Sequence, residues 1–192
     1  MLVSTLSSAR PLVHLSADGH PVQRIDLPWA ELVDAQPITR QAGMASTPHH
    51  ERCVLALSMG GGFAVFRGRS VESKYPYIEQ VRPPRVEVRN RSSPGQQSQS
   101  VHLSDRTIAA TDVAADQFSL YASFQGATPA RGRVIDVYDL RTGQYRGSYG
   151  FHRPIARIAR SGGMILILHH ADGYPALLAA RPAAAAAPRG DP

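Results

Sequence analysis

The side chains in this sequence that could do chemistry are few, and their spacing suits little of it. Eight histidines are present, and two adjacent pairs, His49-His50 and His169-His170, invite a metal reading. Neighbours on a strand point to opposite faces, so neither pair can close on one ion from a strand. The His-x-His and His-Glu-x-x-His spacings, which place two imidazoles on one side of an element, do not occur. His169-His170 also lies beside a hairpin turn with Asp172, where turn solvation accounts for it. Four acids, Asp112, Asp116, Asp136 and Asp139, fall close together. General acid–base work needs a convergent carboxylate pair. Two of these acids are turn residues, however, and Asp136 is placed to face a neighbouring strand.

Nucleophilic chemistry has no handle either. No Gly-x-Ser-x-Gly elbow occurs, and Cys53 has no acid–base company in its apolar run Cys53-Val54-Leu55-Ala56-Leu57. As the sole cysteine, it rules out an intrachain disulfide and reads as a buried, inert thiol. Gly60-Gly61-Gly62 leads into a strand rather than a helix, with no Lys-Ser/Thr after it, so it reads as a turn and not a phosphate cradle. Arg189-Gly190-Asp191 sits in a Pro/Ala tail, where the tripeptide is a chance match. No catalytic, cofactor-binding or metal-ligating residue is assigned, and no cofactor is expected.

Composition bounds the rest. At 192 residues, 43% hydrophobic and 19% charged, the chain is an ordinary folding sequence with one sizeable core or two small ones. The net charge is +6 and the pI is about 10.0. The bases are arginines scattered from Arg10 to Arg189, with Lys74 the only lysine. No basic helix appears, so the charge does not point to nucleic acid. No apolar run is long enough for a membrane helix. The first ten residues lack a charged n-region and a long apolar stretch, so they do not read as a signal peptide. The expected compartment is periplasmic or extracellular if the start is truncated, and cytoplasmic otherwise.

Helix signals are confined to Trp29–Ala35, between Pro28 and Pro37. Elsewhere short apolar or alternating runs are punctuated by turn residues, the pattern of an all-β chain. The clearest stretch predicts strands at Thr107–Val113, Phe118–Phe124, Arg133–Tyr138 and Gln144–Tyr149, separated by Ala114-Ala115-Asp116, a loop over Gln125–Gly132, and Asp139-Leu140-Arg141-Thr142-Gly143. Four antiparallel strands in about forty residues make one propeller blade. The rhythm then restarts with Ile155–Arg160, Met164–Leu168 and Ala176–Ala180. Met164-Ile165-Leu166-Ile167-Leu168 is apolar throughout, which predicts burial of both faces.

Upstream, Thr39–Thr47 is read as an inner strand, Cys53–Met59 and Phe63–Phe66 as strands, and Tyr75–Val81 as an outer strand. Val86-Glu87-Val88 is read as the start of a linker. An internal echo supports repetition. Ala17-Asp18-Gly19-His20-Pro21 matches Ala171-Asp172-Gly173-Tyr174-Pro175 in four of five residues, each after an apolar strand.

The segment Gly132–Gly143, a strand followed by Asp139, three residues and Gly143, resembles the blade hairpin of bacterial six-bladed β-propellers of the NHL-like and TolB-like kind. The resemblance extends from about Leu12 to Ala180. It implies antiparallel four-stranded blades, about three to four of them. The expected organisation is one partial propeller over 1–181, with blade pieces about 1–30, 38–88, 105–150 and 154–181, a flexible loop at 90–100 and a disordered tail at 182–192. A six-bladed ring needs well over this length, at roughly forty residues per blade. A gene fragment, a ring closed by self-association, or a smaller closed sheet would each account for the shortfall. The fragment also explains the absent fourth strand after Ala180, a strand that Met1–Leu6 could supply if they are the true start.

The function expected from this architecture is a non-catalytic binding scaffold for a protein or small-molecule ligand. Its candidate recognition loops are Gln125–Gly132 and Arg89–Ser100. The alternatives are a metal-dependent propeller lactonase or lyase, and a truncated product without independent function. The enzyme reading needs acids or histidines to converge from several inner strands, and Thr107–Val113 and Ile155–Arg160 offer only Asp112.

Overall fold

The structure is a computed structural model that describes residues 2–4, 12–15, 18–25, 29, 42–48, 51–82, 84–93, 96–104, 107–127, 129–171 and 173–182. All regular structure in these residues is extended, apart from a single 3-10 residue at Pro48. Strands β1 (Leu2–Ser4), β2 (Leu12–Leu15) and β3 (Pro21–Ile25) form a first sheet. A second sheet joins β4 (Ala42–Ser46), β5 (Arg52–Leu57), β6 (Gly62–Arg67) and β7 (Ser70–Pro76). Strands β8 (Arg85–Ser93) and β9 (Gln96–Ser104) make a two-stranded ribbon. A third blade-like sheet holds β10 (Ala110–Ala115), β11 (Ser119–Phe124), β12 (Val134–Asp139) and β13 (Tyr145–Gly150). The last sheet has only β14 (Ile155–Ser161), β15 (Met164–Ala171) and β16 (Tyr174–Ala180).

Every sheet is an antiparallel meander in chain order. β10 lies beside β4 on one side and β14 on the other, so the first strands of successive sheets run together along an inner edge. Antiparallel four-stranded sheets standing face to face from such an edge are propeller blades. Among the described residues there are three to four of them, two with four strands.

The stacking explains the composition of the strands. In the β4–β7 sheet, Leu55, Leu57, Ala64 and Phe66 pack on Ile25 and Trp29. The alternate residues Val54, Ala56, Phe63 and Val65 face the β10–β13 sheet. That sheet likewise sends Leu120, Ala122, Phe124 and Tyr138 one way, and Tyr121, Ile135 and Val137 the other. A strand covered on both sides needs apolar residues on both faces, and these strands have them, with Ser123 and Asp136 as buried polar exceptions.

The turns follow local rules. Gly19 and Gly173, from the two echoed segments, both adopt left-handed φ (87° and 85°) in the hairpins joining second to third strands. Gly143 is required twice over: its φ is 70°, and a Cβ there would overlap the Tyr75 ring.

Four expectations are corrected. Residues 90–93 and 96–100 of the expected loop belong to paired strands β8 and β9, in register from Arg85↔Ser104 to Ser93↔Gln96. Val86-Glu87-Val88 therefore lies within a strand. The polar Ser/Gln composition masked an alternation whose apolar members, Val86, Val88, Val101 and Leu103, pair across the ribbon. The fourth strand of the second sheet is Ser70–Pro76 rather than Tyr75–Val81. Met164–Leu168 buries one face only: Ile165 and Ile167 are covered, while Leu166 and Leu168 are half-buried, with no described sheet packed on that side. Leu2–Ser4 pairs with β2 and so does not complete the last sheet. The proposed helical turn at Trp29–Ala35 lies outside the described residues except for buried Trp29. His49-His50, Asp172 and residues 183–192 also lie outside them.

Candidate binding groove at the end sheet

The four acids that suggested acid–base chemistry have separate structural partners. Asp116 ends β10, and its Oδ1 accepts the N–H groups of Phe118 and Ser119 at 3.0 and 2.8 Å. Its Oδ2 accepts the Tyr121 hydroxyl at 2.8 Å and Arg160 Nη2 at 3.0 Å. The Arg160 guanidinium also lies over the Tyr121 ring, 5.0 Å from its centre. Burial, reinforced by Asp116, pushes the Tyr121 hydroxyl up to about 12. Asp112 Oδ2 accepts the Ile158 N–H at 2.7 Å, joining β10 to β14 across the sheet boundary.

Asp139 closes the β12–β13 turn. It accepts the N–H groups of Arg141 and Thr142, each at 2.8 Å, and pairs with Arg146. Burial acts to raise its pKa, but Arg146 and the two backbone donors outweigh that and bring it to about 2. Asp136 is buried opposite Ser148, whose hydroxyl donates to it at 2.5 Å. Burial raises this carboxyl above the usual range despite that hydrogen bond. Asp136 and Tyr138 share the face toward the β4–β7 sheet, where Tyr138 packs on Phe63 and Tyr77. The Tyr138 hydroxyl there accepts the Ile78 N–H at 3.3 Å.

Cys53 is half-buried, and desolvation lifts its thiol to about 11. His169 and His170 stand on opposite faces of β15, one half-buried and one exposed. Among the described residues, no three His, Cys, Asp or Glu side chains gather as a metal would require. Of the expected recognition loops, Gln125–Gly132 is pinned at its start: Glu79 Oε1 accepts the Ala127 N–H at 2.7 Å, and Gly126 N–H reaches Ile108 O at 2.9 Å.

A concave feature lies elsewhere, between β13 with the segment after it and the inner face of the end sheet. Two cavities of about 270 and 260 Å³ share Gly150 and Phe151 as a common wall. Ile165, Ile167, Leu178 and Ala180 form the opposite wall. His152, Arg153 and His169 line one cavity and Arg181 the other, and among the described residues no carboxylate lines either. His169 Nδ1 is buried there, and no described residue offers it a hydrogen bond. β16 forms the rim, with Tyr174 76%, Leu177 68% and Leu178 44% exposed. Sequence reading missed this groove. Its one local signal was the apolar run after Tyr174 with no fourth strand behind it.

Among the described residues, no helix is long and apolar enough to cross a membrane. No known protein family matches the chain, and no curated protein does. Among solved structures, the chain is similar to Saccharomyces cerevisiae Sqt1, at 13% identity and a TM-score of 0.44, over 88% of this chain and 38% of that one. It is also similar to the Neurospora crassa Pan2 WD40 domain, at 13% identity and a TM-score of 0.33, over 84% of this chain and 54% of that one. The chain spans less than two thirds of either relative's length, and likeness at this distance assigns neither family nor activity.

Proposed function

We propose that this chain is a non-catalytic propeller-type scaffold that binds a protein partner. The observation that carries the reading is the end sheet. Among the described residues Tyr174, Leu177 and Leu178 are exposed beside an apolar groove, and contiguous exposed apolar surface of this kind marks interaction sites. The fates of the acids support the same reading. Asp112, Asp116 and Asp139 hold turns and sheet junctions, so none is poised over a cleft as acid–base chemistry requires. The six-bladed, NHL-like or TolB-like affiliation rests on the hairpin at Asp139–Gly143 and belongs to this proposal. A ring of that size would take further blades beyond these sheets.

Site-specific photo-crosslinking in cells tests the function. A benzophenone side chain at Leu178 or Tyr174 is expected to give one discrete protein adduct, whereas one at Arg69, on the β6–β7 turn, gives none. Equal adducts from all three positions, or none from any, would overturn the reading. So would metal-dependent lactone hydrolysis by the purified chain.

A further inference from the structure

Asp136 is the one acid of the four that caps no turn and joins no pair of sheets. It is 5% exposed, on the face of β12 that looks toward the β4–β7 sheet. A carboxylate there needs a cation to offset its desolvation, and among the described residues none faces it. β11 carries no charge, and the facing residues of the β4–β7 sheet include Val54, Ala56, Phe63 and Val65. Arg146, on β13, pairs with Asp139. Lys74, on β7, sits opposite Ala64, which packs away from Asp136 toward Trp29. Arg82, Arg131 and Arg133 are exposed. The titratable groups that do act on Asp136 or feel its charge are Tyr77, Tyr138 and Glu79, and Glu79 brings a second negative charge.

Hydroxyl groups surround the carboxyl instead. The Tyr138 hydroxyl lies 3.5 Å from Oδ2 while it accepts the Ile78 N–H at 3.3 Å. Ser148 donates to Oδ1 at 2.5 Å, and its oxygen lies 2.5 Å from the Tyr145 hydroxyl, where either group can donate. Ser148 and Tyr145 are both exposed, so this short chain joins the buried acid to solvent. A proton can pass along it. Tyr145 takes a proton from a hydronium ion and gives its own to Ser148, and Ser148 gives its own to Asp136 Oδ1. The carboxylate becomes a neutral acid, each hydroxyl keeps one proton, and the hydrogen bonds survive with their direction reversed. Only the buried charge is lost. Glu79, next to Ile78, in turn holds the Ala127 N–H at 2.7 Å, at the start of the Gln125–Gly132 loop.

We propose that Asp136, Ser148 and Tyr145 form a proton-operated latch on the seam between the β4–β7 and β10–β13 sheets. Uptake of one proton by Asp136 removes its repulsion of Glu79, tightens the seam, and firms the Glu79 anchor of the loop at Ala127. Acidification therefore closes the latch, and neutral pH loosens it. This device goes beyond the scaffold reading and does not depend on the groove beside β16.

The test follows the Asp136 carboxyl by carbon-13 NMR in the full chain. It is expected to titrate above the value of an unfolded aspartate, about 3.9. Ser148→Ala removes a donor to the charged form and should raise the midpoint, whereas Glu79→Gln removes a like charge and should lower it. Because the folded chain takes this proton first, stability should rise as pH falls through the midpoint, and the gain is complete below the unfolded value. Asp136→Asn reproduces the neutral acid. It should unfold at a higher urea concentration than the parent at neutral pH, and the two should converge on acidification. Its Ala127 amide should exchange about threefold more slowly than the parent's at neutral pH. A carboxyl that titrates at or below the unfolded value, or a midpoint that neither neighbour moves, would overturn the proposal. So would an Asp136→Asn chain less stable than the parent at every pH, since the carboxyl would then be a structural acceptor alone. An Ala127 amide indifferent to Asp136→Asn would overturn the link to the loop.

Discussion

The β10–β13 sheet and the β14–β16 sheet share a plan, yet among the described residues one is covered on both faces and the other on one. The end sheet carries the more uniformly apolar strand, Met164-Ile165-Leu166-Ile167-Leu168, but only Ile165 and Ile167 are buried. In the central sheet Leu120, Tyr121 and Ala122 are all buried. Burial in a stack of sheets thus depends on having a neighbour on each side more than on a strand's own composition. It also separates two settings for apolar residues: in the central sheet they are buried, and in the last described sheet Leu177 and Leu178 stay exposed.

The contrast can be broken most decisively in the core. Ile135→Ala, in the middle of the central sheet, is expected to cost about 2–5 kcal/mol in urea unfolding. If the cost falls below that range, the central sheet is not packed on both faces. Asp139→Asn comes next. The folded carboxyl titrates near 2 against about 3.9 in an unfolded chain. Its contribution is complete above the unfolded value and is lost as pH falls through the folded one, so the variant should be about 1–2 kcal/mol less stable at pH 7. The gap should close as pH approaches 2, and a gap independent of pH would assign Asp139 a purely geometric role.

Asp112→Ala probes the junction between the two sheets. Leaving the Ile158 N–H without its acceptor should cost about 1–2 kcal/mol. The loss should appear as faster amide exchange across β14–β16, with β10–β13 largely unchanged, because sheets open as local units. Uniform acceleration would mean the two sheets unfold together. The smallest effect belongs to the exposed strand: Leu177→Lys should change stability by less than about 0.5 kcal/mol, while Leu120→Lys, at a fully buried position of β11, should prevent folding.

Much of the strand plan was legible. Phe118–Phe124, Arg133–Tyr138 and Gln144–Tyr149 are observed as Ser119–Phe124, Val134–Asp139 and Tyr145–Gly150, because alternation and turn residues act over a few neighbours. The expected strand at Thr107–Val113 starts later, at Ala110, and runs to Ala115. The β8–β9 ribbon was read as a loop because Ser and Gln dominate one strand and its few apolar residues matter only when paired. The groove was not legible at all. Its walls come from β13, the segment after it, β15 and β16, and only stacking brings them face to face.

By itself the sequence determined that this is a chain of short antiparallel strands, and where many of the turns fall. Those choices are local: Gly19, Gly143 and Gly173 supply conformations other residues resist, and Asp116 and Asp139 bind the N–H groups that immediately follow them. Only the tertiary structure decided which apolar faces are covered, that Asp112 reaches Ile158, and that β13 and the last described sheet face each other across a groove. Each of these depends on what lies across a sheet-to-sheet gap, and residues far apart in the chain meet there without any local pattern to announce them.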